Sequence, residues 1–341
     1  MFSITIIGSG PAGCQLAYNL DSRFSVTLVD RNIFPRVKPC GGILIEASVE
    51  FLKIFSPPDN IYSKPKHIDL AYLDWDNIIR FKQKRGFQNI NRDKFDYWLF
   101  NLATNRKNVK FLKGIARKVN QGEKSFVVVE TDTGFKKIES DIIVDASGAH
   151  SVTRQASSTS QNLYTAVQFE LEASKKFEDF NYILANSLSD YYSWLVPKGD
   201  SVLVGSCFNA RVMKDNVEKF KKMFSDKFGL DFENSAMQAA PLFRPLSVED
   251  LELVRKDVFV LGEAAGLISP STGEGISYAL RSAKACAEAI NENTDFRKAR
   301  QDYLVRVKPL VDEIESKIQR AKLLMNIEKR REFFNGFVSA D

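Results

Sequence analysis

Three glycine-rich stretches and one cysteine followed by two glycines hold the residue types in this chain that can cradle an anion or carry redox chemistry. The first, Gly8-Ser9-Gly10-Pro11-Ala12-Gly13, follows the apolar β-branched run Ile4 to Ile7 and opens a helical pattern that ends near Leu20. Val26 to Val29 then reads as a second buried strand, closed by Asp30 and Arg31 about 20 residues after the first glycine. Strand, glycine turn, helix, strand and acid in that order make one βαβ unit. In it Gly8 makes the tight turn, Gly10 lets the backbone approach a pyrophosphate and Gly13 permits close helix-to-strand packing. Pro11 and Ala12 begin a helix whose amino end faces the phosphates, and Asp30 accepts ribose hydroxyls. The alternative is a glycine turn that only packs.

The second stretch, Asp145-Ala146-Ser147-Gly148 with Ser151 and Arg154, follows the buried run Ile142 to Val144. The third, Gly262-Glu263-Ala264-Ala265-Gly266, follows Val258 to Leu261 and leads through Pro270-Ser271-Thr272-Gly273-Glu274-Gly275 into a small-residue helix from Ile276 to Ile290. Backbone N–H groups at that helix start suit a negative charge. Three separated glycine-rich segments fit a long cofactor better than a short one, although Asp30 taken alone leaves NAD open.

Cys40 stands between Pro39 and Gly41-Gly42, where a thiol either works on a nearby group or packs as a small polarizable side chain. Cys14, Cys207 and Cys286 read as packing residues. With no C-x-x-C pair and only His67 and His150, neither a disulfide framework, a zinc cluster nor a histidine dyad is expected. Arg92, ahead of a helical pattern from Asp93 to Thr104, is placed to clamp a phosphate or a ribityl chain, or to sit in solvent at the helix start. Tyr192 and Trp194 share one strand face, where they line a channel or fill a core.

These residues need elements to position them. Residues 60 to 92 read as mixed and turn-rich. Val109 to Phe111, Ile115 to Val119, Phe126 to Glu130 and Phe135 to Ile138 read as a meander, and Ile142 to Val144 returns the chain to a parallel sheet. Residues 164 to 172, 182 to 185, 191 to 196 and 201 to 208, with a helix from Phe220 to Phe228, predict a second, sheet-based domain. The end of the chain reads as helical and basic, with Lys317, Arg320, Lys322, Lys329, Arg330 and Arg331 among apolar residues; this is a solvated helix face or a patch for an anionic lipid surface. The 341 residues, 44% hydrophobic and 27% charged, exclude a disordered tail. A net charge of +5 is too small to imply nucleic acid. The first residues lack a basic region of the signal-peptide kind, no apolar run is long enough to span a bilayer, and a reducing cytoplasmic setting is expected.

Together the three glycine-rich segments resemble the FAD motifs of the p-hydroxybenzoate-hydroxylase-like flavoproteins. Within that superfamily, Lys38-Pro39-Cys40-Gly41-Gly42 and Tyr192-Ser193-Trp194-Leu195-Val196-Pro197 resemble the cysteine-glycine and Y-x-W-x-F-P motifs of the geranylgeranyl reductase family. The CbrA-type branch matches at Lys38 to Gly42, Asn89 to Arg92 and Gly262 to Leu280. Four positions depart from the usual pattern: Asp30 for glutamate, Ser147 for aspartate, Val196 for phenylalanine and Glu263 for aspartate, the last shared with the CbrA-type branch.

The resemblance implies an α/β fold: a doubly wound, Rossmann-like FAD-binding domain over 1–60, 93–155 and 255–290, an inserted antiparallel-sheet substrate domain over 61–92 and 156–254, and a helical carboxyl-terminal segment over 291–341. It implies that FAD is held by Gly8, Gly10, Pro11, Ala12, Gly13, Asp30, Arg31, Cys40, Gly41, Gly42, Arg92, Ala146, Gly148, Gly262, Glu263, Gly273, Glu274, Gly275 and Ile276, with the reduced flavin's charge met at Pro270 to Gly275. Cys40, Tyr192 and Trp194 are the expected residues at the reacting centre. The implied reaction is reduction of an isoprenoid or prenyl-lipid C=C bond by hydride from reduced flavin. No second βαβ fingerprint is present, so electrons are expected from docking NAD(P)H or from a redox protein. The alternatives are a monooxygenase of the same fold and a non-catalytic flavoprotein at a membrane surface. A halogenase is disfavoured by the missing W-x-W-x-I-P pattern.

Overall fold

The computed structural model describes residues 2–120, 125–154, 162–173, 175–209 and 213–338. In chain order the elements are β1 (Phe2–Ile7), α1 (Pro11–Asn19), β2 (Phe24–Asp30), β3 (Ile43–Leu44), α2 (Glu46–Leu52), β4 (Tyr62–Asp74), β5 (Ile79–Ile90), α3 (Arg92–Thr104), β6 (Val109–Lys113), β7 (Ile115–Asn120), β8 (Phe126–Thr131) and β9 (Gly134–Glu139). There follow β10 (Ile142–Asp145), β11 (Leu163–Glu172), β12 (Phe180–Leu184), β13 (Ser193–Lys198), β14 (Ser201–Asn209), α4 (Met213–Phe228), β15 (Gln238–Phe243), β16 (Val254–Arg255), β17 (Val258–Val260), α5 (Ile276–Glu292), α6 (Phe296–Met325) and α7 (Ile327–Val338). They fall into two units.

The first unit comprises Met1–Arg36, Asp93–Asn162 and Phe243–Lys317. Its sheet has the order β16-β17-β10-β1-β2-β6, parallel from β17 to β6, with β16 antiparallel at one edge. Covered on both faces, such strands read as unbroken apolar runs, and Ile4, Ile6, Val26, Leu28, Val144 and Phe259 are all buried. Helix α1 packs against α5, whose alanines allow the close approach. A three-stranded antiparallel sheet, β7-β8-β9, belongs to the same unit. The expected four-strand meander is therefore corrected: Val109 to Lys113 pairs in parallel with β2, from Val26↔Val109 to Asp30↔Lys113. A five-residue strand carries no mark of which sheet it joins.

The second unit comprises Val37–Arg92, Leu163–Leu242 and Ile318–Asp341. Its eight-stranded sheet has the order β15-β11-β14-β13-β12-β4-β5-β3. On one face Val167, Phe169, Leu195 and Val204 pack against Val217, Phe220 and Phe224 of α4. The turn-rich reading of residues 60 to 92 fails, because β4 and β5 form a long antiparallel hairpin. Exposed Lys64 to His67 and the polar stretch Arg80 to Gly86 hide the alternation, and Pro65 reads as a breaker. Asp74 builds the connecting turn by accepting the N–H groups of Asp76 and Asn77, while Ile78 takes a left-handed φ of 57°.

Residues 37–60 thus group with the second unit and 243–254 with the first, unlike the spans expected from sequence. Ile318–Asp341 is not a separate appendage either. Phe334 of α7 is buried with Tyr72, Phe81 and Tyr182 of the sheet, and Arg330 is fully buried.

Candidate functional site

In the first unit the fingerprint folds as its glycines require. Gly8 has a φ of 102°, donates its N–H to Val29 O at 2.7 Å, and lies so close to the middle motif that a Cβ would stand 2.4 Å from Ala146 O. A Cβ on Gly13 would stand 1.8 Å from Gly8 O. Gly10 differs, because it has an ordinary φ of −73° and a Cβ there would meet only Arg36, 3.5 Å away. Its missing side chain is not a packing requirement of the protein itself. Gly10 is the N-cap of α1 and Pro11 follows it, with no side chain capping the helix, so Ala12 and Gly13 present first-turn N–H groups for an anion.

Asp30 ends β2, where its carboxylate accepts Ser9 N–H at 2.7 Å and Asn32 N–H at 2.8 Å. It braces the loop as well as standing at the ribose position. Arg31 is exposed.

Sequence reasoning missed Arg36. Its Nη2 pairs with buried Asp96 at 3.2 Å and faces Gly10, and its Nε is buried with no hydrogen-bond partner. A buried guanidinium edge facing a bare helix amino end fits a pyrophosphate, and Arg36 would hold that group together with the first turn of α1. The only sequence signal is an arginine shortly after Asp30.

The middle and third motifs are tied by two arginines. Ala146 N–H donates to Ile7 O, and Gly148 has a φ of 78°. Asp145, fully buried, accepts from Ser147, Ser151 and Thr153. Arg154 donates to Ala149 O, Glu263 O and Ala264 O and lies 3.8 Å from the ring centroid of Phe243; burial, and after it Arg255, pushes its pKa down to about 10. Arg255, unremarked in the sequence, reaches Ser151, Thr153 and Ala264 O.

Gly262 has a φ of 54° and packs against Ala12 and Ala279. Glu263 accepts Phe243 N–H at 3.0 Å, and its Oε2 would lie 3.9 Å from a Cβ on Gly148. One longer carboxylate thus lies between the motifs. In the last loop Gly273 has a φ of 64°, Gly275 is the N-cap of α5 with no side-chain cap, and Ile276 is its first residue. The Glu274 carboxylate accepts Ser277 N–H at 2.7 Å and the Ser277 hydroxyl at 2.8 Å, and so braces the start of α5.

The second unit holds the other set. Cys40 is a free, partly buried thiol, and Gly42, with a φ of 66°, directs its N–H to Sγ at 3.4 Å. A Cβ on Gly41 would stand 3.3 Å from Val196, which brings the cysteine-glycine turn against the Tyr192 to Pro197 strand. Tyr192 stacks on Tyr182 with centroids 4.3 Å apart and lies 5.9 Å from Trp194, and burial pushes its hydroxyl pKa well up. Trp194 is buried with its Nε1 unpartnered. Arg92, buried at the start of α3, belongs to this unit. A second missed residue, Lys198, follows directly after Pro197.

Residues 2–179 match the family model of the pyridine nucleotide-disulphide oxidoreductases, just over half of the chain. The chain belongs to that family. As such it is an oxidoreductase that uses FAD, and the first unit's cradle fits that cofactor. This oxidoreductase is 28% identical over 316 residues to protein CbrA of Escherichia coli O6:H1, covering 87% of this chain and 85% of that protein. Its fold is similar to that of a geranylgeranyl bacteriochlorophyll reductase-like protein of Thermoplasma acidophilum, with TM-score 0.81, 16% identity, and 99% and 90% of the two chains covered. It is also similar to Klebsiella pneumoniae HpxO complexed with FAD and uric acid, with TM-score 0.69, 14% identity, and 98% and 92% covered. At these identities the likeness carries the fold alone. No helix among the described residues is long and apolar enough to cross a membrane.

Proposed function

We propose that this oxidoreductase reduces a C=C bond of an isoprenoid or prenyl-lipid substrate. The observation that supports this reading is the contact between Gly41 and Val196, which joins two motifs far apart in sequence, each resembling one of the geranylgeranyl reductase family. Beside that contact Ile68, Tyr191, Trp194, Val196 and Leu203 pack in one buried apolar cluster, so the surroundings of the cysteine-glycine turn are apolar. The Trp194 N–H, buried and without a partner, suits a polar group on an otherwise apolar ligand.

Bound FAD, once reduced, supplies a hydride. In the first unit the cradle around Gly8, Gly10, Gly13 and Arg36 would hold its diphosphate; in the second unit Cys40, Tyr192 and Trp194 are the residues we assign to the substrate. NAD(P)H or a redox protein supplies the electrons, and an anionic membrane surface is the place where an insoluble substrate is concentrated. Dithionite-reduced protein incubated anaerobically with polyprenyl lipids should give products heavier by pairs of hydrogen atoms, read by mass spectrometry. Oxygen added under air, with no added hydrogen under anaerobiosis, would overturn this reading in favour of a monooxygenase. Cys40→Ser should retain FAD but alter turnover or product distribution.

A further inference from the structure

Lys198 ends β13 with its ammonium nitrogen drawn inward. Nζ donates to Asn89 Oδ1 and to Ile90 O, the latter at 2.7 Å. Asn89 cannot turn away, since its Nδ2 donates to Pro65 O at 3.1 Å and Pro197 O at 2.8 Å. From Ile90 the chain of contacts continues: its N–H donates to Gly42 O at 2.8 Å, and Gly42 N–H points at Cys40 Sγ. A Cβ on Gly42 would stand 2.9 Å from Nζ. The lysine is thus seated directly against the Cys40 to Gly42 turn. No ion pair joins Nζ to a carboxylate among the described residues. Two oxygen acceptors and no counter-ion match a neutral amine, which has two N–H donors.

We propose that Lys198 is a positioning and charge-setting residue for the Cys40 thiol, acting across the Cys40 to Gly42 turn. Burial pushes the Lys198 pKa down to about 7; Cys40 and Glu170 of β11 pull it back up, and Arg92 adds to the depression. An ammonium at this place favours the thiolate of Cys40, and the amine that remains after its proton is lost does not. This inference rests on the reductase reading, in which the carbon that receives no hydride needs a proton and the Cys40 thiol, beside the Lys198 seat, is the group placed to give it.

The test is the rate at which iodoacetamide alkylates the folded protein as pH is varied, with Cys40→Ser as the blank, because Cys14, Cys207 and Cys286 are buried. At about pH 6, Lys198→Met should react several-fold more slowly than the parent, and the gap should close above about pH 8, where the parent lysine is neutral. Lys198→Arg, charged throughout, should keep the rate high at both ends. Parallel profiles for the parent and Lys198→Met would overturn the proposal. So would a parent profile with a single thiol titration and no step near neutral pH, which needs no variant to fold. The assay uses no substrate, so its failure and the failure of the reductase reading are distinguishable.

Discussion

Arg330 and Asp74, 256 residues apart, form an ion pair with almost no solvent exposure, Nε to Oδ2 at 2.7 Å. Arg330 also reaches Asp76, Asn186 and Leu324 O, while Asp74 accepts the N–H groups that close the β4–β5 turn. One guanidinium therefore fastens α7 to the hairpin. The basic carboxyl-terminal run is accordingly not one surface patch.

Arg330→Met should lower stability by about 3 to 5 kcal/mol, because it leaves the Asp74 carboxylate buried without its cation. Urea denaturation would show this as a lower midpoint. Lys329→Glu and Arg331→Glu, both on exposed residues, should stay within about 0.5 kcal/mol of the parent.

Those two exposed residues also give a clean test of membrane contact. If the segment docks on anionic lipid, Lys329→Glu with Arg331→Glu should reduce co-sedimentation with anionic liposomes at low salt, at about 1 kcal/mol per residue, without unfolding the protein. Adding salt should weaken the parent's binding, and a protein that stays in the supernatant at every salt concentration has no such contact.

Gly10→Val should lose FAD while the apoprotein keeps its fold, since the backbone there is unstrained and an added Cβ meets only Arg36. Gly13→Val should instead unfold the unit, its Cβ falling on Gly8 O. Released flavin absorbance and the melting transition separate the two outcomes. Arg36→Ala should weaken FAD binding by about 1 to 3 kcal/mol through loss of a charged hydrogen-bond donor.

Burial raises the Glu274 carboxyl pKa above its ordinary value, against the hydrogen bonds from Ser277. A raised folded-state pKa means that the folded protein holds the proton more tightly, so its contribution is full below the ordinary carboxylate range and is lost as pH rises through the folded value. Glu274→Gln should therefore show a smaller loss of melting temperature on going from acid toward neutral pH than the parent does.

The amino-acid sequence by itself determined the dinucleotide fingerprint, the parallel core strands and the helices that follow them. Those signals are local: Gly8, Gly10 and Gly13 act within one turn, and strands buried on both faces are written as unbroken apolar runs such as Ile4 to Ile7. Tertiary structure decided what depends on distant partners. Whether Val109 to Lys113 joins β2 or a meander is a matter of pairing that five residues cannot state. The half-exposed β4–β5 hairpin is masked by lysines whose faces only the folded sheet reveals. Arg330 and its neighbour Lys329 are alike as basic letters of one run, yet burial against Asp74 separates the first from the second. Lys198 is one more basic residue after a proline until Asn89, Ile90 and Gly42 close around it, because burial and neighbouring charge are properties of the fold and not of the residue.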